Sequence, residues 1–412
     1  MTSQLVIMNQ LAIAVATDTL TSRQSAGDTK TAPSASKVYE LPAPATGVVL
    51  HCGAVHVGRT SWRLLVREWS RSSSPLTAPT MSDYRDAFGA WTNQHASGMG
   101  LEDVYGVIGR LGPIEMAGGH IGWLAKNLNK DAKSALAADA KAADADTAKA
   151  IHEVIKRWYA TEVFSDLSEE NAKALIAEAQ IDLAVVFSSA LGLAEDFKFG
   201  SKTIAAVKEF AVAALRCIPT WEKSFSTDLH FVGFGAQEAL GQVAKLQIFG
   251  FWGGRLRTTT KNIGALTPYE YPYFIPIAQS RAIDAFWNGS SDDFVHAVQS
   301  AARSAIGQIE GVAPENVEKA LDVMNEQIGA FSNENFREPM FSTIRSLAIS
   351  NLGKFADFLI HLQAFRSATD EGEATVGGFV ESLVITPEHG VRWRQRLSSD
   401  VRGIEDSSHA FD

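Results

Sequence analysis

Apolar runs of four to seven residues open the chain. Leu5–Asn9 and Leu11–Thr17 read as two strands joined at Asn9-Gln10, a polar pair suited to a tight hairpin. Thr21–Ala35 is rich in Ser, Thr, Ala and Pro and reads as a loop. Lys37–Leu41 reads as a strand that ends at Pro42, and Gly47–Cys52 as a buried strand closed by Gly53. The period then changes. Ser61–Arg71 places Trp62, Leu65, Val66 and Trp69 on one helical face, and Ser82 is the expected N-cap of a helix over Asp83–Gln94. From about residue 100 to 226 the patterning is helical, including Asn171–Leu183 and Thr203–Arg216. The Ala/Asp/Lys stretch Asp131–Ala150 reads as a solvated helix or linker.

Strand character returns at Leu229–Gly233, Ala244–Phe251 and Gly254–Thr260, with Gly253-Gly254 as the turn between the last two. Pro268, Pro272 and Pro276 mark an irregular stretch. Helices are expected at Ser280–Trp287, Asp292–Ile306, Pro314–Gly329 and Pro339–Phe365. The strands Phe379–Thr386 and Val391–Leu397 close the pattern, and no internal repeat is visible. Strands and helices come in runs rather than alternating. That order predicts an α+β fold in which two sheets lie between helix layers.

Composition narrows the function classes. The chain has 412 residues, 46% of them hydrophobic, enough for a sizeable core and too apolar for a disordered chain. Its net charge of −10 argues against a nucleic-acid binder and against adhesion to anionic lipid. No apolar run reaches the length of a membrane span. Ala14-Val15-Ala16 mimics a signal-peptidase site, but no Lys or Arg precedes Arg23 and Asn9-Gln10 breaks the apolar run, so no secretory signal is expected. Two cysteines, Cys52 and Cys217, fit a reducing, cytoplasmic compartment and lack metal-site spacing. The common phosphate-loop, zinc and serine-elbow motifs are absent; Gly106–Gly112 is spaced GxxGxxG and lacks the dinucleotide pattern. No cofactor or metal is expected.

The candidate chemistry lies at the start. Removal of Met1 would leave Thr2 first, with a hydroxyl as nucleophile and its own α-amine as base. Such a site needs a cation near the hydroxyl, an anion to hold that cation, and an N–H donor for the oxyanion. Lys37 at the opening of the third strand, Asp18 at the end of the second and Gly53 after the fourth supply these types. Each has an ordinary reading, as a solvated lysine, a turn aspartate and a backbone glycine; the combination is what carries weight.

The spacing from Thr2 to Asp18, the segment Ser36-Lys37-Val38-Tyr39 and the segment Val49–Gly58 resemble proteasome-type β subunits of the N-terminal nucleophile (Ntn) hydrolase superfamily. Phe231–Glu238, Leu246–Arg257 and Glu373–Gly390 resemble later segments of that family, over about residues 2–97, 228–310 and 338–397. More narrowly, the chain resembles the longer, uncharacterised bacterial proteasome-like proteins.

The resemblance implies a four-layer αββα sandwich. Residues 1–97 and 228–412 would form the Ntn-hydrolase domain and 98–227 a mostly helical insertion. It implies a threonine-type peptidase acting through a Thr2 acyl ester, with Lys37 lowering the nucleophile's pKa, Asp18 holding Lys37 and the Gly53 N–H forming the oxyanion hole. The family's supporting Asp falls on Glu373 and one supporting Ser on Val376, which has no hydroxyl; Ser280 is the candidate for the other supporting Ser. It also implies a peptide or protein substrate, homo-oligomeric rings or spirals, and a separate ATPase as a partner. Two other readings stay open: a catalytically weak or inactive scaffold or regulatory protein of the same fold, and an Ntn amidase acting on small molecules.

Overall fold

The structure is a computed structural model of the chain. It describes residues 2–25, 28–33, 36–57, 60–72, 77–96, 119–128, 134–136, 138–159, 162–178, 182–194, 197–219, 226–252, 254–267, 269, 272–310, 312–369 and 375–397. In chain order the strands are β1 (Ser3–Met8), β2 (Ile13–Asp18), β3 (Leu20–Ser25), β4 (Asp28–Pro33), β5 (Val38–Glu40), β6 (Thr46–Cys52), β7 (His56–Val57), β8 (Thr60–Ser61), β9 (Thr227–Phe234), β10 (Gln242–Trp252), β11 (Arg255–Ala265), β12 (Tyr273–Ala278), β13 (Val380–Thr386) and β14 (Gly390–Gln395). The helices are α1 (Trp62–Ser72), α2 (Met81–His95), α3 (Asp144–Trp158), α4 (Glu169–Glu178), α5 (Leu183–Leu191), α6 (Ser201–Arg216), α7 (Arg281–Asn288), α8 (Asp292–Gly307), α9 (Pro314–Ser332), α10 (Glu338–Ser346) and α11 (Ile349–Thr369).

Two antiparallel five-stranded sheets organise the chain, in the orders β12-β1-β2-β13-β14 and β11-β10-β9-β6-β5. The period of two along a strand sends alternate side chains to opposite faces. Val6, Met8, Ile13, Val15, Leu383 and Ile385 of the first sheet meet Val48, Leu50, Val232 and Phe234 of the second in one buried cluster. The alternate residues Leu5, Ile7, Ala14, Ala16 and Val384 pack outward against Leu352, Ala356, Leu359 and Ile360 of α11. On the second sheet Val49, Leu229, Phe231 and Leu246 pack outward against Trp62, Leu65 and Trp69 of α1 and Phe88 of α2. Burial on both faces explains why β1, β2, β6 and β9 read as continuous apolar runs rather than as alternating ones.

Most expected elements appear within a few residues of their sequence bounds, and six differ for identifiable reasons. The loop expected over Thr21–Ala35 is a ribbon of β3 and β4, in register at Ser22↔Thr31; threonine favours extended backbone. Thr80, not Ser82, caps α2, through a capping box with Asp83, while the Ser82 hydroxyl bonds Gln242 and Asn262. The Ala/Asp/Lys stretch is not simply solvated: Leu136, Ala143 and Ala148 are buried. The helix expected over Asn171–Leu183 ends at Glu178, and Asp182 caps α5 instead. Pro276 lies inside β12, which tolerates it because β12 is an edge strand. The helix expected over Pro339–Phe365 is broken into α10 and α11. Asn9, in the β1–β2 turn, donates to the carbonyls of Ile344 and Leu347 and so closes the end of α10. The Asn9 side-chain oxygen accepts from the amides of Leu11 and Ala12, which ties the same residue into its own turn.

The described residues of 98–227 are mostly helical. Ile121, Leu124, Ile151, Phe187, Phe210 and Leu215 lie in hydrophobic clusters made largely within that region. Phe249 of β10 joins the smaller cluster, and Arg257 of β11 pairs with Asp166 at 2.7 Å. The motif Gly106–Gly112 lies outside the described residues. No single helix among the described residues is long and apolar enough to cross a membrane.

Candidate functional site

The start of β1 is bonded to the ends of β2, β6 and β12. Strand β1 lies between β2 and β12, in register at Gln4↔Thr17 and Ser3↔Ala278. Thr2, just before β1, is buried, and its carbonyl accepts from the Gln279 amide at 2.9 Å. One residue later, the Ser3 amide donates to Asp18 Oδ1 at 2.9 Å. The same oxygen accepts from Lys37 Nζ at 2.8 Å, while Asp18 Oδ2 accepts from the Gly377 amide at 3.2 Å. Lys37 also donates to the Leu20 carbonyl at 2.8 Å. Two donors sharing one oxygen at these lengths place the ammonium within about 6 Å of the amide that follows Thr2.

Asp18 is fully buried and Lys37 nearly so. Burial pulls the Lys37 pKa below the usual lysine range, and the Asp18 carboxylate opposes that shift by charge and by hydrogen bond. A lysine held in that state attracts a developing alkoxide and exchanges protons more readily than a solvated one.

The turn after β6 is fixed from several sides. Gln4 Nε2 donates to the His51 carbonyl at 2.9 Å, tying β1 to the residues just before Gly53. Gly53 has φ +110°, and a Cβ there would fall 2.8 Å from the Ser226 carbonyl oxygen, so glycine is required. The Ala54 amide donates to Thr227 Oγ1 at 3.1 Å, and the Ala54 carbonyl accepts from Trp62 Nε1 and faces His51 Nε2 at 2.9 Å. A carbonyl accepts, so the neutral imidazole carries its proton on Nε2, and Nδ1 is buried without a hydrogen-bond partner among the described residues. Cys52, beside Gly53, is pushed up to about 11, first by burial and then by Asp228. Its thiol therefore stays protonated near neutral pH.

His51 is pushed down to about 4 and His230 to about 3, in both cases mainly by burial. These folded values lie below the usual 6.5, so the unfolded chain binds more protons between them. Stability is therefore expected to fall as pH drops from about 6.5 towards 4, by up to about 3 kcal/mol for His51. Urea melts at pH 7 and pH 4, compared with those of His230→Gln, check this: the variant should lose less stability across the interval than the parent chain.

The candidate residues named from sequence are placed as follows. Asp18 joins Lys37 to the amide that follows Thr2, and Gly53 lies two residues beyond His51, whose carbonyl accepts from Gln4. Ser280 directly follows Gln279, the partner of Thr2, but its hydroxyl donates to the Asp284 carboxylate in the first turn of α7 and caps no backbone amide there. Val376 is buried, and its amide donates to Ser367 Oγ at 3.2 Å. Glu373 lies outside the described residues. Sequence reading missed the Ser3 and Gly377 amides, Gln4, Gln279, Thr375 and Ser367; backbone donors and lone uncharged side chains leave no spacing signal. Among the described residues no group of three or more His, Cys, Asp or Glu is placed to hold a metal ion. No family model, curated protein or solved structure matches this chain.

Proposed function

We propose that this chain is a threonine-type amidohydrolase of the proteasome-like Ntn kind, acting as a peptidase once Thr2 is the first residue. The observation that carries the reading is the single Asp18 oxygen shared by the Lys37 ammonium and the amide following Thr2. A buried cation so placed has little structural use that an apolar residue would not serve better, because a buried ion pair is a weak source of stability. The two facing sheets, with helices on their outer sides, are the layering this reading needs. In it, residues 1–97 and 228–412 are the hydrolase domain and 98–227 an insertion.

The chemistry runs in two steps. Thr2 Oγ attacks the substrate carbonyl while its proton passes to the Thr2 α-amine, directly or through a water. The Gly53 N–H and the Lys37 ammonium stabilise the negative charge that develops. The C–N bond breaks, the leaving amine takes the proton from the α-ammonium, and an ester on Thr2 remains. Water, deprotonated by the same amine, then hydrolyses the ester. The substrate is a peptide or protein, the working form a homo-oligomer in the cytoplasm, and any unfolding of substrate is supplied by a separate ATPase.

A second reading, a non-catalytic scaffold of the same fold, is favoured by Val376, which puts a buried apolar side chain where the resemblance expects a hydroxyl. Intact mass decides between them. The chain is measured with Thr2 as first residue, before and after treatment with a peptide β-lactone, which acylates a hydroxyl and adds its full mass. An adduct mapped to Thr2 is expected; a chain that stays unlabelled, or is labelled elsewhere, rejects the hydrolase.

A further inference from the structure

The segment before β13 and the turn between β12 and α7 meet next to Thr2 through side chains to which the proposed chemistry gives no role. Ser367, buried on α11, accepts from the amides of both Thr375 and Val376, at 3.1 and 3.2 Å. Thr375 Oγ1 donates to Gln279 Oε1 at 2.9 Å. The Gln279 amide in turn donates to the Thr2 carbonyl at 2.9 Å. Two residues after Thr375, the Gly377 amide donates to Asp18 Oδ2, and the Gly377 carbonyl accepts from the amides of Thr19 and Leu20. One short turn thus bonds both Gln279, whose amide holds the Thr2 carbonyl, and the carboxylate that holds Lys37.

The junction it grips is strained. Ala278, opposite Ser3 at the end of the β1–β12 pairing, has φ +64°, a left-handed conformation that an L-residue with a Cβ disfavours. That conformation persists when surrounding contacts over-determine it. The contacts that follow it directly are the Gln279 amide on Thr2 and the Gln279 side chain on Thr375.

We propose that Thr375 and Ser367 are positioning residues: through Gln279 they hold Thr2 in the orientation its hydroxyl needs for attack. This rests on the hydrolase reading above. The Thr375 hydroxyl donates to a side-chain amide oxygen and reaches Thr2 through one further residue. Its loss therefore loosens the nucleophile without removing any group that binds substrate. Misorientation of a nucleophile slows the covalent step and leaves the binding step alone.

The test measures covalent labelling of Thr2 by the same peptide β-lactone over a range of concentrations, in the full-length chain with Thr2 first. Thr375→Val, which keeps the shape and removes the donor, is expected to lower the saturating labelling rate about tenfold, with the half-saturating concentration within about twofold of the parent. Thr375→Ser is expected to restore the rate, and Ser367→Ala to lower it as Thr375→Val does. Melting temperatures of all four chains separate a positioning loss from unfolding. If Thr375→Val folds and labels at the parent rate, or if Thr375→Ser fails to restore labelling, the positioning role is wrong while the hydrolase stands. If the parent chain itself is never labelled at Thr2, both fall.

Discussion

Thr2→Ala is expected to remove essentially all peptide turnover, by about a thousandfold or more, and to abolish labelling by the β-lactone, with little change in melting temperature. The size follows from what alanine lacks. The α-amine, the Gly53 turn and the Lys37–Asp18 pair all remain, but no atom is left to form the ester. The residual rate would come from oxyanion stabilisation and binding alone. Stability should hold, because the bonds that seat residue 2 run through its backbone: its carbonyl accepts from Gln279, and the next amide donates to Asp18. Thr2→Ser is the matched control and should keep a measurable rate. Turnover of a fluorogenic peptide panel by parent, Ala and Ser chains checks this. Equal turnover in parent and Ala chains would mean that the nucleophile lies elsewhere.

Asp18→Ala is expected to destabilise the fold by about 3–5 kcal/mol, read from the urea midpoint at constant slope. Asp18 is completely buried and accepts from three donors: the Ser3 amide, the Lys37 ammonium and the Gly377 amide. Alanine would leave two buried amides without their acceptor and a buried ammonium with the Leu20 carbonyl as its remaining bond in this group. The Lys37 pKa, already lowered by burial, would lose the charge that opposes the shift. Part of the cost would then be met by releasing the proton rather than by unfolding. Lys37→Met removes the cation but leaves Asp18 charged with both amide donors, so it should cost less. The double variant Asp18→Ala/Lys37→Met should be more stable than the sum of the single changes, by a coupling of at least about 1 kcal/mol. Simple additivity would show that the pair is not the closed ionic unit drawn here.

Much of the architecture was legible along the chain. The apolar runs at β1, β2, β6 and β9 and the helical face Trp62–Leu65–Val66–Trp69 announce themselves because burial selects side chains at the period of the element that carries them. Thr2, Asp18, Lys37 and Gly53 were legible as candidates for a related reason. They are chemically distinctive types at strand ends, and a strand end is a place where topology brings distant residues together.

What stayed hidden depends on contacts between segments far apart in sequence. The end of α10 is decided by Asn9, more than 330 residues away, and no local propensity records that bond. Pro276 read as a strand breaker because its neighbours along the chain do not say whether the strand is an edge. The β3–β4 ribbon is polar and carries no apolar period, so composition could not separate it from a loop.

The same division runs through the site. Residue chemistry, being a property of single side chains, is written at each position: a hydroxyl, a carboxylate, an ammonium, a glycine. The sharing of one Asp18 oxygen by Lys37 and the Ser3 amide, and the seating of Thr2 by Gln279 through Thr375, exist only once the sheet brings β1, β12 and β13 into register. A hydrogen bond is set by distance and direction between atoms, and for residues so far apart along the chain those are consequences of the folded backbone.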